Sequence, residues 1–515
     1  MKLGDETVRL ASHSTAAVHQ TVAPLLEFDI LTKLVGVRLG YRWAVAILLM
    51  LGFGLRLVML DRFRFHQDEA LYSYWALHFL HEDPQFLTQW IDKPPLFIWL
   101  LGACFKVLGA SEASARLLNV GISVLTIPVV AAIARHAWTS GAALAAAAAY
   151  ALNPFAISYS PTAFTDPLFV LGGVLSVCAA QRRRPFWAGL FLGCATMAKQ
   201  QGVFFIPLTL AFLVAGSLNS RSAIRNILWS CCGLALAVVP VLYWDSLRWA
   251  VAPSPWDLGV RNYRALEIVS PALWPARAMG LGELLWYLTA SPVVWIALAV
   301  AVAVVVLRAR LPRRIVPQRR EIVAVLICGW LAGFLGFHTV TSLPLWDRYL
   351  LPVVPFFALL VGWIGARVHA HGPVRLNRVV IGLWIVLLLP SAAQAARGGI
   401  PIGGDHGAYD GLREAIVWLD RHSHKGAVLY HQALNWHLQF YLYDSPNDFR
   451  VRWFASPVSL ADDTAKMDPR QKFVVVPAWL PLRGGYPHLT VRGVELTQRH
   501  RVEQFTIYEL QSHNR

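Results

Sequence analysis

Charge is scarce in this sequence. Only 15% of its 515 residues are Asp, Glu, Lys or Arg, while 56% are hydrophobic and the mean hydropathy is +0.48. A soluble globular chain carries about 25% charge and about 45–50% apolar residues. The deficit argues against a soluble enzyme and for a polytopic membrane protein. Acid is scarcer than base, with 30 Asp and Glu against 46 Lys and Arg and a net charge of +16. A nucleic-acid binder would gather that excess on one folded basic surface. Here the bases fall in short clusters between apolar runs, so no nucleic acid is expected and membrane orientation accounts for most of them.

Cysteine is scarce too. The six are Cys104, Cys178, Cys194, Cys231, Cys232 and Cys328, all within apolar runs. Their spacing offers neither a disulfide framework nor a zinc site, and they read as small buried hydrophobes. No secretory signal peptide is expected. The first 40 residues hold Glu6, Glu27 and Asp29 and lack an early apolar core with a small-residue cleavage site. Residues 22–37 have the pattern of an amphipathic helix lying on a membrane surface. An internal repeat is also lacking, and residues 398–515 hold no nucleotide-binding glycine pattern.

What is present is a series of apolar runs, at 42–60, 115–134, 140–158, 166–181, 185–199, 202–218, 226–243, 283–307, 321–338, 349–367 and 377–396. With about 20 residues needed to cross a bilayer, they give about eleven spans. The run 94–109 is short and opens with two prolines, so it reads as a helix embedded in an outer loop. That choice satisfies the positive-inside rule. With Lys33, Arg38 and Arg42 inside, Arg135, Arg182–Arg184, Arg221, Arg225, Arg308–Arg320, Arg367, Arg375 and Arg378 fall on the same side.

The expected organisation is then a cytoplasmic segment at 1–40, a membrane domain at 41–397 with its first outer loop at 61–116, and an outer domain at 398–515. The last alternates helix-like and strand-like pieces. Leu412, Ala415, Ile416 and Leu419 share one helical face, and 427–430, 473–477 and 505–509 read as strands. His431 and His437 lie there, but scattered histidines are more often ordinary hydrogen-bonding residues than metal ligands. The fold expected is thus a mostly α polytopic membrane protein with a small C-terminal α/β domain.

This topology brings distant charges to one membrane face. Asp68 and Glu69 follow the first span, Lys93 lies in the same loop, Asp166 starts the fourth span, Lys199 ends the fifth, and Asp347 and Arg348 precede the tenth. Such groups beside a bilayer are functional candidates. Transfer of a sugar from a polyprenyl phosphate needs this mixture. A carboxylate, for which Asp68 is the candidate, takes the acceptor's proton. Lys and Arg hold the departing phosphate.

Plainer readings stand beside it. Asp68 and Glu69 suit a helix first turn, Asp166 suits a helix cap before Pro167, and Lys199 and Arg348 suit interfacial snorkelling. Tyr72, Tyr74 and Trp75 form an aromatic belt. His66 beside Asp68 hints at a divalent metal without the ligand spacing to support one, so no cofactor is expected. A transporter or flippase of lipid-linked sugars, or a membrane scaffold displaying the outer domain, are the alternatives. Paired discontinuous helices would favour the transporter, and a scaffold has no use for acids and bases at one bilayer level.

Asp68-Glu69-Ala-Leu-Tyr, Asp92-Lys93-Pro94-Pro95-Leu96, Ser111-Glu112-x-x-x-Arg116-Leu117, Thr165-Asp166, Ala198-Lys199 and Arg348-Tyr349-Leu350-Leu351-Pro352 occur in this order. Together they resemble the dolichyl-phosphate-mannose protein mannosyltransferase-like family, which includes the aminoarabinose lipid A transferases, over residues 40–365. The resemblance implies an integral-membrane glycosyltransferase of the GT-C fold in the plasma (inner) membrane, inverting and acting on the outer face. It implies a polyprenyl-phosphate sugar as donor and a lipid, protein or glycan as acceptor, the sugar being mannose, aminoarabinose or another. It assigns Asp68 as base and Asp166 to acceptor positioning, with Glu69 grouped among the catalytic acids. Lys93, Lys199, Arg348 and Tyr349 match positions that face the lipid phosphate, and His66 is counted with the substrate-binding groups. Where many relatives have Lys-Gly, this chain has Lys199-Gln200-Gln201-Gly202.

Overall fold

The computed structural model of the protein describes residues 27–28, 39–263, 267–309, 319–369, 374–467, 470–482, 489 and 493–512. Most of the segment expected to form a surface helix at 22–37 lies outside these. Within it, Glu27–Phe28 (β1) pairs antiparallel with Leu39–Gly40 (β2) and so is not helical.

The membrane domain opens with α1 (Tyr41–Leu57), then α2 (Gln67–His81) and α3 (Leu96–Leu108) in the loop that follows it. α3 has 13 residues, about 20 Å at 1.5 Å per residue, too short for a hydrocarbon core of about 30 Å. Then come α4 (Glu112–Ala137), α5 (Ser140–Ala151), α6 (Pro154–Tyr159), α7 (Asp166–Gln181), α8 (Pro185–Ala198), α9 (Ile206–Ala215) and α10 (Ser220–Ser246). After α11 (Pro255–Tyr263) and α12 (Trp274–Trp286) the bundle ends with α13 (Pro292–Ala309), α14 (Arg319–Val340), α15 (Val353–His369) and α16 (Val374–Ala396).

Among the described residues, three helical stretches are long and apolar enough to cross a membrane: Glu112–Ala137, Ser220–Ser246 and Glu321–Val340. The larger expected tally rests on shorter apolar helices. The run 140–158 is broken because Asn153 caps a new helix with Pro154 in its first turn. The run 202–218 is preceded by a 3-10 turn, Gln200–Phe205, before Pro207 sits in the first turn of α9.

Small residues set the closest packing. A Cβ on Gly189 of α8 would lie 1.7 Å from the Ser230 carbonyl oxygen, and one on Gly233 of α10 would lie 2.0 Å from that of Phe186. The run Ala142–Ala149 of α5 is buried throughout, which is how small residues let helices approach in a bilayer. The break after α5 leaves carbonyls exposed to an apolar interior, and a buried arginine satisfies them. Arg56 donates from Nη1 to the carbonyl oxygens of Gly52 (2.9 Å) and Ala151 (2.8 Å), from Nη2 to that of Tyr150 (3.3 Å), and from Nε to Ser123 Oγ (2.9 Å).

The C-terminal domain is α/β, as expected. α17 (Leu412–His422) buries Leu412, Ala415, Ile416 and Leu419. α18 (Asn435–Tyr441) and α19 (Pro457–Lys466) join it around β3 (Val428–His431), β4 (Arg450–Trp453), β5 (Lys472–Pro477), β6 (Val494–Val502) and β7 (Phe505–Ser512). The sheet order is β4-β3-β5-β7-β6, with β3 parallel to β4 and β5, and β7 antiparallel to β5 and β6. The central strands β3, β5 and β7 match the three anticipated. Edge strands β4 and β6 are mostly uncovered, with no clean apolar alternation, so they left little trace in the sequence.

This domain is docked on the loop between α1 and α4 and on the start of α4. His437 donates from Nε2 to the Phe65 carbonyl oxygen (2.8 Å), Tyr441 donates its hydroxyl proton to Glu112, and Trp436 packs near Tyr74 and Trp75.

Candidate active site

The helix carrying Asp68 is fixed by its own first turn. His66 is the N-cap, and its Nδ1 accepts from the Asp68 N–H (3.1 Å). Glu69 Oε2 accepts from the His66 N–H (2.8 Å), completing a capping box. His66 therefore acts on the backbone, with its ring against the edge of Phe164. Asp68 sits in the first turn, where the helix dipole favours a carboxylate. Its side chain is 26% exposed and paired with Arg348.

Glu69 has another role. It is fully buried, and both of its oxygens accept from Arg116 (3.0 and 3.1 Å), while Oε1 also takes the Ala163 N–H (2.8 Å). Arg116 in turn donates to the carbonyl oxygens of Leu60, Phe63 and Arg64. Glu69 is thus a strut that ties α2 to α4, with both of its oxygens engaged by Arg116. Successive helix residues point about 100° apart, so Asp68 and Glu69 face different surroundings.

Around Asp68 the structure gathers the cations expected there. Arg348 comes from the 3-10 turn Asp347–Leu350, with its guanidinium near Phe164, Trp346 and Tyr349. Its Nε is buried without a hydrogen-bond partner. Tyr349, itself buried, also lies 4.6 Å from the Lys199 ammonium, measured to its ring centre. Lys199 Nζ donates to Asp166 Oδ1 (2.6 Å). Asp166 is the first residue of α7 and Thr165 is the cap, so the expected cap lies one residue earlier.

Lys93 Nζ donates to the Tyr263 hydroxyl (2.6 Å) and to Asp92 Oδ2 (3.0 Å). Tyr263 in turn donates to Asp92 Oδ2 (3.2 Å). Neither Tyr263 nor Asp92 was singled out in the sequence. Asp92 stood within a quoted motif without a role. Tyr263 lies 170 positions from Lys93 on a short loop helix, with no local signal to connect them.

The electrostatics keep Asp68 ionised among a group of cations. Burial pushes the Asp68 carboxyl upward, but Arg348, His66 and Lys93 outweigh it and hold it below the usual carboxylate range. Burial pulls the Lys93 ammonium below its ordinary value against Asp92 and Asp68. His437 is kept neutral, lowered to about 4 by burial. Its Nε2 proton is committed to Phe65, and His431 Nδ1 accepts from the Leu434 N–H (3.3 Å). Among the described residues no group of three His, Cys, Asp or Glu side chains has the placement to hold a metal.

An apolar helical bundle with acids and bases converging at one end, a short apolar helix in its first loop and an α/β appendage has the GT-C fold of membrane glycosyltransferases. Residues 92–244 match the family model described as dolichyl-phosphate-mannose-protein mannosyltransferase. That stretch contains Lys93, Asp166 and Lys199, and it ends before Arg348. The whole fold is similar to that of ArnT from Cupriavidus metallidurans. The apo form matches with a TM-score of 0.65 at 15% identity, over 90% of this chain and 97% of that one. The form bound to undecaprenyl phosphate matches with a TM-score of 0.62 at 15% identity, with the same coverage. The archaeal oligosaccharyltransferase AglB from Archaeoglobus fulgidus, in complex with an inhibitory peptide and a dolichol-phosphate, matches with a TM-score of 0.54 at 12% identity, over 88% and 72%. No curated protein sequence matches the chain.

Proposed function

We propose that the protein is an inverting glycosyltransferase that moves a sugar from a polyprenyl-phosphate donor to a lipid, protein or glycan acceptor. The reaction runs at the outer face of the plasma (inner) membrane, where the C-terminal domain also lies. The observation that carries this reading is Arg348. It pairs with Asp68 while its buried Nε has no partner. A buried guanidinium N–H left unmade is costly, and a phosphate oxygen is the acceptor it fits.

In the step proposed, the acceptor hydroxyl or amine attacks the anomeric carbon and gives its proton to Asp68. The new bond forms as the bond from that carbon to the phosphate oxygen breaks. The electron pair leaves with the polyprenyl phosphate, whose charge is met by Arg348, Lys93 and Lys199. Asp166 holds Lys199 and positions the acceptor side, while Tyr349 walls the pocket and His66 shapes the helix start. The likeness to ArnT bound to undecaprenyl phosphate and to AglB bound to a dolichol-phosphate supports the choice of donor class.

Mass spectrometry of membrane lipids and glycans from a strain lacking the protein tests this. The expected result is accumulation of one polyprenyl-phosphate sugar and loss of one glycosylated product. Unchanged lipid-linked sugars and glycans would overturn the reading.

A further inference from the structure

α7 runs from Asp166 at the charged cluster to Gln181, so its far end lies about 22 Å away at 1.5 Å per residue. There a cavity of about 530 Å3 opens between the ends of α4, α7 and α9 and the start of α14. Its volume falls in the range of ligand sites, roughly 300–1,000 Å3. Arg182, Arg183 and His136 line its polar side, Phe212 and Leu326 its apolar side, and among the described residues no Asp or Glu lines it. Glu321, next in sequence to Ile322 of the lining, is held by Arg367 and Trp363.

Two further features point to a ligand. Gln181 donates its amide to the Ile133 carbonyl oxygen (3.3 Å), while its Oε1 is buried without a partner. Arg183 has φ of +58°, the left-handed region. The Arg184 N–H reaches the Ala179 carbonyl oxygen (2.9 Å) and the Arg183 N–H that of Ala180 (3.0 Å). This is a Schellman ending, whose left-handed position usually takes glycine. An arginine kept there, against its backbone preference, sets a cation on the cavity wall.

We propose that this cavity binds the headgroup of an anionic glycerophospholipid. Its phosphodiester sits on Arg182 and Arg183, a headgroup hydroxyl donates to Gln181 Oε1, and acyl chains run along the apolar side. Basic pockets between membrane helices hold such headgroups. The site is separate from the transfer chemistry and does not depend on it, since its test reads lipid retention rather than turnover.

Native mass spectrometry of the full chain, exchanged from phosphatidylglycerol–phosphatidylcholine mixtures, is the test. The wild type is expected to retain phosphatidylglycerol over phosphatidylcholine by roughly tenfold or more. Arg182→Gln/Arg183→Gln should abolish that preference, while Arg221→Gln/Arg225→Gln, outside the cavity, should keep it. Arg183→Gly should raise thermal stability in neutral detergent and still lower phosphatidylglycerol retention. Equal loss in both double variants would mean a general pull of basic loops on acidic lipid and would overturn the proposal. So would full retention in Arg183→Gly, or displacement of the lipid by millimolar inorganic phosphate, which would mark a soluble-anion site.

Discussion

Asp68→Asn separates proton acceptance from donor binding. Asparagine keeps the shape of the side chain and still suits a helix first turn, so the capping box of His66 and Glu69 should survive. The variant removes the proposed base and also the charge that occupies Arg348. Loss of a positioned general base costs about 10²–10⁴ in rate, or roughly 3–5 kcal/mol of transition-state stabilisation. Donor binding should move the other way. Two like charges about 5 Å apart repel by roughly 3 kcal/mol at an effective dielectric of about 20. Arg348 offsets part of that, so removing the carboxylate should tighten the donor by about threefold to tenfold, up to about 1.4 kcal/mol.

Sugar transfer from labelled polyprenyl-phosphate donor in detergent, with calorimetric titration of the same lipid, measures both quantities. Turnover within about threefold of wild type, or weakened donor binding, would refute the reasoning. The pH dependence has a definite sign. Asp68 titrates below the ordinary carboxylate range, so it stays ionised on acidification from neutral pH to about 5 and should cause no fall in rate there. Its contribution to stability is present above the unfolded value of about 3.9. It is lost as pH falls through the lower folded value.

Arg348→Ala should weaken donor binding by tenfold or more, about 1.4 kcal/mol, and by more than Asp166→Asn does; equal donor affinities in calorimetry would argue against the assigned roles. Glu69→Gln breaks a buried pair and should cost about 3–5 kcal/mol of stability by thermal unfolding, with residual activity tracking the folded fraction. A fully folded but inactive Glu69→Gln would return Glu69 to the chemistry. Arg56→Met should strand the carbonyl of Ala151, since that of Tyr150 keeps the Asn153 N–H, and lower the unfolding temperature by several degrees, at a cost of about 1–3 kcal/mol for the lost partner.

The parts of this protein that the sequence disclosed are those set by hydropathy and topology. Asp68, Lys93, Asp166, Lys199 and Arg348 were legible because each stands where an apolar run begins or ends, and the charge asymmetry sends those ends to one face. The brevity of the 94–109 run disclosed a helix of 13 residues, too short to cross a bilayer. What escaped depended on direction and distance. The roles of Asp68 and Glu69 diverge through the helical turn between neighbours. Tyr263 meets Lys93 only in three dimensions. The break at Asn153-Pro154 lies inside an otherwise continuous apolar run, and only Arg56, far upstream, marks that carbonyls there need a partner.

The grip of His437 on the Phe65 carbonyl reaches beyond the sheet that surrounds it. Phe65 lies three residues before Asp68, so the chain's last hundred residues hold the tether from which the helix carrying Asp68 hangs. Shortening this protein at its C-terminus would untie that tether rather than trim an ornament, and turnover would suffer although no group touching the sugar had been removed.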